Sequence, residues 1–156
     1  MSNWQSDEIV KAGHDPNLKT NKCLFELLRK YLLIEFADTY AMDVFPFIKK
    51  GNMSVKIPLN DLVETARTYA IPAVKIIDPK LTVCLGLATF NALRKASNLS
   101  TFSNIEEGTK NSFSIGHCKV FGVAHTGRMG TNMRNRKNKN QVDTDWSVIQ
   151  SYLNAN

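Results

Sequence analysis

Hydrophobic and polar positions recur along the chain with helical and extended periods, and these patterns predict its secondary structure. In residues 20–36, apolar residues follow one another at intervals of three and four, which predicts a helix with Thr20 or Asn21 as its N-cap. The same spacing predicts three further helices, over residues 59–69, 87–97 and 143–153. Because proline lacks a backbone N–H, we expect Pro72 to kink or end the second of these helices.

Short apolar runs between the helices predict the strands. These runs occupy residues 38–47, 80–86 and 118–124, and the last run is the second arm of a predicted hairpin over 112–125. Continuous apolar strands that alternate with helices are typical of a parallel sheet covered on both faces. We therefore expect an α/β fold with three layers, α/β/α, around a short and mostly parallel central sheet.

Length and composition indicate one globular domain. The chain has 156 residues, of which 43% are hydrophobic and 22% are charged, and this size suffices for one hydrophobic core. The segment 1–19 is polar, so we assign the α/β domain to residues 20–156. No apolar stretch approaches the roughly 18 residues that span a membrane, and the first residues lack the pattern of a secretory signal, so we expect no membrane partner.

The three cysteines, Cys23, Cys84 and Cys118, stand singly in apolar surroundings. This pattern is typical of reduced core residues in a cytosolic protein, and it lacks the dense clustering of a metal site. We therefore expect a cytoplasmic protein with no metal and no cofactor.

The positive charge of the chain is concentrated in one segment. The net charge is +6, and residues 124–141 contain five basic residues and no acidic residue, so the remainder of the chain carries only +1. The five are Arg128, Arg134, Arg136, Lys137 and Lys139. A local patch of this kind attracts polyanions more strongly than the same charge spread evenly. A solvated basic surface that aids solubility is the alternative interpretation.

Candidate functional residues follow the ends of the predicted strands. In open α/β sheets, ligands bind beyond the carboxyl ends of the strands. Here the three strand ends lead into residues 43–47, Gly86 and His125. We therefore expect these segments to meet at one edge of the sheet, where the basic residues after His125 would hold a phosphate backbone.

Three segments, in this order, resemble the uracil-DNA glycosylase superfamily. They are ADTYAMDVFPF (37–47), IIDPKLTVCLGLATFNAL (76–93) and VFGVAHTGRMGTNMRN (120–135), the last followed by DTDW, and the resemblance covers about residues 20–150. It implies the uracil-DNA glycosylase-like fold and DNA, single- or double-stranded, as the partner. It also implies hydrolysis of the N-glycosidic bond of a flipped uracil or other damaged base, as in base excision repair.

The resemblance implies roles for individual residues. His125 matches the family's loop histidine, which stabilises the negative charge on the O2 oxygen of the departing uracil. Met129 is then the apolar side chain that enters the duplex, between Gly127 and Gly130, which permit close backbone approach. The residues expected to contact DNA are Thr126, Gly127, Arg128, Met129, Arg134 and Arg136, and those expected to line the base pocket are Phe45, Phe47 and Gly86.

Two departures from the family pattern bear on catalysis. Asp43, the second catalytic candidate, stands where the family carries an asparagine that reads the base edge, and a carboxylate only accepts hydrogen bonds. We expect altered or lost preference for uracil, in favour of a base with an exocyclic amino group; a solvated strand-end carboxylate is the alternative. The family's glycine-rich strand, which positions the attacking water, has no counterpart before residue 20, so Asp7, Asp15 or Asp43 would have to substitute.

Three functions stay open as alternatives. The first is an active DNA glycosylase. The second is a catalytically impaired member of the superfamily that binds nucleic acid or a protein. The third is a small α/β protein that binds a phosphorylated metabolite. The family's glycine-rich strand lies in the middle of its sheet. Without this strand, buried backbone groups stay unpaired, and each costs about 1–3 kcal/mol of stability. The sheet would therefore either re-form or take a strand from another chain, as in an oligomer.

A DNA-bound protein would work at the bacterial nucleoid or in a eukaryotic nucleus.

Overall fold

The computed structural model describes residues 7–47, 56–136 and 140–155. The chain divides into two compact units. Unit 1 consists of the described residues of Met1–Thr39 and His125–Asn156, and unit 2 consists of those of Tyr40–Ala124. Within the described ranges, every helix is too short or too polar to cross a membrane.

Helices make up most of the secondary structure. The α-helices are α1 Asp7–Ala12, α2 Lys19–Leu27, α3 Leu59–Thr65, α4 Ile71–Ile77, α5 Leu87–Ala96, α6 Ile105–Lys110, α7 Arg128–Arg134 and α8 Gln141–Ala155. A π-helical turn, Leu28–Leu32, continues α2, and a second one, Ala66–Ala70, joins α3 to α4. A short 3₁₀ turn spans Phe36–Asp38. The strands are β1 Leu81–Leu85, β2 Phe113–Ile115 and β3 Cys118–Val123.

The three strands form one small mixed sheet in unit 2, in the order β1-β3-β2. β1 runs parallel to β3, with Leu81 opposite Lys119 and Leu85 opposite Val123. β2 runs antiparallel to β3, which confirms the predicted hairpin. The chain is therefore mixed α/β, as the sequence predicts. The sheet is not mostly parallel, however, because one of its two strand pairs is the hairpin.

The predicted strand over residues 38–47 is wrong. The 3₁₀ turn Phe36–Asp38 opens this segment, and no described residue from 39 to 47 is in a strand. The apolar side chains do not alternate between two faces, because the consecutive residues Val44 and Phe45 both pack against the core. Pro46, which follows them, has no N–H to donate to a sheet.

The outer edge of β1 has no strand partner among the described residues. The backbone of Lys80 accepts from Lys119 N–H at 3.1 Å, and Gly86 N–H donates to the carbonyl of Val123 at 2.8 Å. These even-numbered residues face β3, so the backbone groups of Leu81, Val83 and Leu85 point the other way, since a strand alternates its hydrogen-bonding direction. No strand of the described ranges pairs with this edge of β1.

The helix predicted over 59–69 is confirmed, but Pro72 does not end it. The helix continues through the π-helical turn and α4 to Asp78, whose φ of 46° stops it. Ile71 N–H bonds to the carbonyl of Ala66, five residues back, as in a π-helix. This wider turn directly precedes Pro72, so the missing N–H and the ring of the proline are accommodated without a break.

Close packing of the sheet against α5 forms the centre of unit 2. Phe90 on α5 is fully buried, and a Cβ atom on Gly122 of β3 would lie 2.6 Å from its ring. Only glycine therefore lets β3 approach α5 at this point. The guanidinium of Arg94, one turn along α5, is buried over the Phe102 ring at 4.2 Å, and burial lowers its pKa.

Unit 1 is built from α2 with its π-helical turn, together with α7 and α8. Its buried apolar side chains are Leu27, Leu28, Tyr31, Val142, Trp146 and Ile149. The first helix ends at Leu33, whose φ is 57°, three residues before the predicted end. It begins at Lys19, so Leu18 occupies the N-cap position expected for Thr20 or Asn21.

Candidate nucleic-acid interface

His125 follows β3 at the end of the buried strand. Val123 and Ala124 are buried, whereas His125 is exposed. In unit 2, Leu85 is the register partner of Val123, so β1 and β3 end at the same edge of the sheet.

A hydrogen bond orients the imidazole of His125. The backbone N–H of Gly127 donates to Nδ1 of His125 at 2.9 Å. Since Nδ1 is the acceptor, the neutral ring carries its proton on Nε2. The exposed ring therefore presents an N–H donor to solvent, and it needs no positive charge to donate.

Two glycines let the chain fold back over this histidine. A Cβ atom on Gly127 would lie 3.0 Å from Nδ1 of His125, and one on Gly130 would lie 2.2 Å from the His125 carbonyl oxygen. A real Cβ atom cannot lie 2.2 Å from the carbonyl oxygen of His125. This oxygen belongs to the backbone and not to the far end of a flexible side chain. The first turn of α7 therefore packs directly on the histidine because these positions lack side chains.

The segment after His125, predicted as a loop, contains the helix α7. Two methionines on it are largely exposed, Met129 at 78% and Met133 at 69%. Arg128 at its start and Arg136 just beyond its end are also exposed. This α7 surface (Arg128, Met129, Met133 and Arg136) combines two cations with two flexible apolar side chains.

Arg134 does not belong to the α7 surface. Its guanidinium forms a bidentate pair with Asp145 of α8, with Nε to Oδ2 at 2.6 Å and Nη2 to Oδ1 at 2.7 Å. The two side chains are only 10% and 4% exposed. Asn135 Oδ1 also accepts from the backbone N–H of Val142 at 3.0 Å. These contacts fix α7 on α8, so Arg134 anchors the helix and does not offer its charge to a ligand.

Thr126 lies beneath the surface as well. It is 3% exposed, and its Oγ1 atom has no hydrogen-bond partner within the described part of the chain. Lys137 and Lys139, the two other basic residues of the segment, lie outside the described residues.

The remaining predicted site residues lie in unit 2. Phe45 and Phe47 are brought together, with ring centroids 5.4 Å apart and planes at 77°. Asp43 is exposed and forms no ion pair or side-chain hydrogen bond with a described residue. Gly86 has a φ of 100°, a conformation that favours glycine between β1 and α5.

The two aspartates proposed as substitutes for the water-positioning group lie in unit 1. Asp7 is exposed in α1. Asp15 is engaged in its own loop, where its carboxylate accepts from the backbone N–H of Asn17 at 2.8 Å. Its carbonyl accepts from the side chain of Asn21 at 2.7 Å. The role of Asp15 in the structure is therefore to shape the turn before α2.

The sequence did not indicate a polar cluster in unit 1, where the π-helical turn Leu28–Leu32 meets α8. Lys30 Nζ lies 2.5 Å from Oδ1 of Asp143, and the hydroxyl of Tyr31 donates to the same oxygen. The bond from Lys30, and after it that from Tyr31, lowers the pKa of Asp143. Hydrogen bonds to Asp143 and to Tyr31 raise the pKa of Lys30 to about 12. An open cavity of about 280 Å³ adjoins the cluster and is lined also by Cys23 and Asn135.

No family model matches this chain, and no curated protein matches it in sequence. Within the described ranges, no three His, Cys, Asp or Glu side chains lie close enough to hold a metal ion. The functional interpretation therefore depends on the three segments named above and on the geometry around His125.

Proposed function

We propose that this chain belongs to the uracil-DNA glycosylase superfamily, binds DNA through the α7 surface, and hydrolyses the N-glycosidic bond of a flipped base. The observation that carries the proposal is the hydrogen bond from Gly127 N–H to Nδ1 of His125. It leaves Nε2–H free, on an exposed ring, as a neutral donor for a developing oxyanion.

The chemistry assigned to His125 follows from this tautomer. The bond between the sugar C1′ and the base nitrogen breaks, and its electron pair leaves with the base. Negative charge then accumulates on the carbonyl oxygen of the base, where Nε2–H donates a hydrogen bond. Water adds to C1′, and its released proton neutralises the base. A single donor of this kind is worth about 100- to 1,000-fold in rate.

The α7 surface supplies the DNA contacts in this proposal. Met129, on the helix that packs over His125, is the apolar wedge that replaces the extruded base in the stack. Arg128 and Arg136 neutralise phosphates on either side, and neither forms an ion pair with a described residue. Arg134 is left out of the phosphate contacts because Asp145 holds it.

Asp43, in unit 2, is proposed to favour a base that carries an exocyclic amino group. An exposed carboxylate accepts hydrogen bonds from an exocyclic amino group, and it would oppose the O4 oxygen of uracil. An Asp43→Asn variant should therefore excise uracil better than the unchanged protein. Better excision of uracil by the unchanged protein would contradict this role.

A second candidate function is DNA binding without hydrolysis. It is favoured by the engagement of the Asp15 carboxylate in its own turn. It is also favoured because Asp43 forms no ion pair or side-chain hydrogen bond with a described residue. DNA binding by the α7 surface requires neither Asp15 nor Asp43, because the Arg134–Asp145 pair holds α7 in place.

We also propose that the outer edge of β1 pairs with a strand from a second copy of this chain. β1 contains no charged residue or proline, the features that usually protect an exposed edge. Val83 N–H points away from β3, so Val83→Pro should block pairing without removing a bond of the sheet. Light scattering should give a dimer mass for the unchanged protein and a monomer mass for Val83→Pro. A monomer in both cases would contradict the pairing.

The decisive experiment separates binding from hydrolysis. Gel-shift titrations over a range of salt should give a steep salt dependence, and Arg128→Ala and Arg136→Ala should each reduce its slope by about one. Lys75→Ala, an exposed cation on α4, is the matched control and should leave the slope unchanged.

Incubation with oligonucleotides that carry one damaged base then tests catalysis. Abasic-site formation that falls about 100- to 1,000-fold in His125→Ala supports the glycosylase. DNA binding with no abasic product supports the second candidate. Absence of any salt-dependent binding would contradict both.

A further inference from the structure

Unit 2 exposes a pair of aromatic rings to solvent. Phe47 and Tyr69 have ring centroids 5.6 Å apart and planes at 73°. Both remain open, Phe47 at 52% and Tyr69 at 42%. The hydroxyl of Tyr69 forms no hydrogen bond with a described residue. The pair therefore offers ring surface and a free hydroxyl group at one place.

The π-helical turn Ala66–Ala70 creates this exposure. Its two end residues, Ala66 and Ala70, are buried, while Arg67, Thr68 and Tyr69 between them are all exposed. A π-helical turn holds one residue more than the α-helical turn that would replace it, and such turns often occur at functional sites. The bulge thus exposes a cation and an aromatic ring within three consecutive residues.

The size of the pair distinguishes between classes of partner. An aromatic side chain buries at most about 150–250 Å², so two half-exposed rings supply far less than the roughly 800 Å² that each partner of a stable protein interface contributes. One nucleobase, by contrast, is matched in area by a single aromatic face.

Charge favours a nucleic acid as well. Arg67 forms no ion pair with a described residue, and residues 40–124, the sequence of unit 2, contain ten basic and six acidic residues. Asp61 and Glu64 are exposed on the preceding turns of α3 and oppose part of this positive charge. Stacking of a base on a ring, with a cation on the adjacent phosphate, is the general mode by which proteins hold single strands.

We propose that Tyr69, whose ring meets that of Phe47 at 73°, forms a stacking platform for an unpaired base of single-stranded DNA, with Arg67 on the adjacent phosphate. This inference rests on the proposed function in taking DNA as the ligand. It concerns a different unit and different residues from the α7 surface, and it gives the protein a second contact that tolerates any base.

Affinity for a short oligothymidine tests the platform. Tyr69→Ala should weaken binding about 5- to 150-fold, the range for loss of one stacked base. Tyr69→Phe keeps the ring and should bind within about twofold of the unchanged protein. Ile76→Ala, which removes an apolar side chain that is 83% exposed on α4, is the matched control and should change nothing.

A spectroscopic probe reports stacking directly. The indole of Tyr69→Trp should be quenched when oligothymidine is added, whereas that of Ile76→Trp should not. Oligothymidine binding that Tyr69→Ala leaves unchanged, without quenching in Tyr69→Trp, would overturn the platform and leave the α7 surface intact. A change of molecular mass in Tyr69→Ala without a change in DNA affinity would overturn it in favour of a protein contact. Failure of the unchanged protein to bind any DNA would overturn both proposals.

Discussion

The backbone N–H of Gly127 donates to Nδ1 of His125, two residues earlier, at 2.9 Å. This bond sets which ring nitrogen carries the proton, and it depends on the close return of the chain after β3. The properties of the histidine are therefore controlled by a glycine that need not touch DNA itself.

Replacement of this glycine should disturb the ring. In Gly127→Ala, the new Cβ atom would lie 3.0 Å from Nδ1 and 3.3 Å from Cε1, so the imidazole must turn away and the hydrogen bond lengthens. ¹⁵N chemical shifts of the ring should show the Nε2–H tautomer in the unchanged protein and a mixture of both tautomers in the variant. An Nδ1–H tautomer in the unchanged protein would contradict the assignment.

Gly130→Ala should be more damaging to the fold. Its Cβ atom would meet the carbonyl oxygen of His125 at 2.2 Å, so α7 itself must move. Overpacking against backbone costs about 1–3 kcal/mol of unfolding free energy. Urea denaturation should reveal this loss, while Asn132→Ala, an exposed change on the same helix, should stay within about 0.5 kcal/mol. Equal effects of the two substitutions would refute the close contact.

Removal of one partner of the Arg134–Asp145 pair should leave a buried charge unpaired. Arg134→Ala is expected to cost about 3–5 kcal/mol in unfolding free energy. The double variant Arg134→Met with Asp145→Leu should recover much of that loss, because apolar residues of similar size remove both charges. Arg128→Ala is the exposed control on the same helix. If Arg134→Ala costs no more than Arg128→Ala, the pair does not anchor α7.

The contact of Asp143 with Lys30 and Tyr31 should make the free energy of unfolding depend on pH in the acidic range. The pKa of Asp143 is lower in the folded chain, chiefly because of Lys30. Its stabilisation is therefore present above the pKa of an unfolded aspartate, and it is lost as the pH falls through the folded value. Asp143→Asn should unfold at lower urea than the unchanged protein at pH 7.

The difference between these two proteins should shrink as the solution is acidified below the ordinary pKa of aspartate. At the alkaline end, the contribution of Lys30 should be complete below the ordinary pKa of lysine and should be lost as the pH rises through its folded pKa of about 12. A gap between Asp143→Asn and the unchanged protein that is constant from neutral to acidic pH would rule out this linkage.

The elements that the sequence predicts correctly are those with local signals. β1 and α5 follow one another through Gly86, and the hairpin of β2 and β3 turns at Gly116, whose φ is 60°. In each case, apolar periodicity and a glycine occur within a few residues. The segment 38–47 has strand-forming residues but lacks a partner strand in the described part of the chain, and composition alone does not reveal that.

The helix α7 was missed because its stability comes from distant contacts. Gly130 lowers helix propensity by about 1 kcal/mol relative to alanine. What stabilises the helix is the bond of Arg134 to Asp145, eleven residues away, and that of Asn135 to Val142. The Tyr31–Asp143 contact joins residues 112 positions apart, and no local pattern indicates such a pair.

The order of synthesis has a consequence for the histidine. Unit 1 is assembled from both ends of the chain, with the continuous segment Tyr40–Ala124 between them. A ribosome that works from the N-terminus therefore synthesises all of unit 2 before it synthesises α8. Because α7 is held by Asp145 and Val142 of α8, the tautomer of His125 is set last. A nonsense mutation at the codon of Asp145 would spare the sheet and leave the histidine without its scaffold.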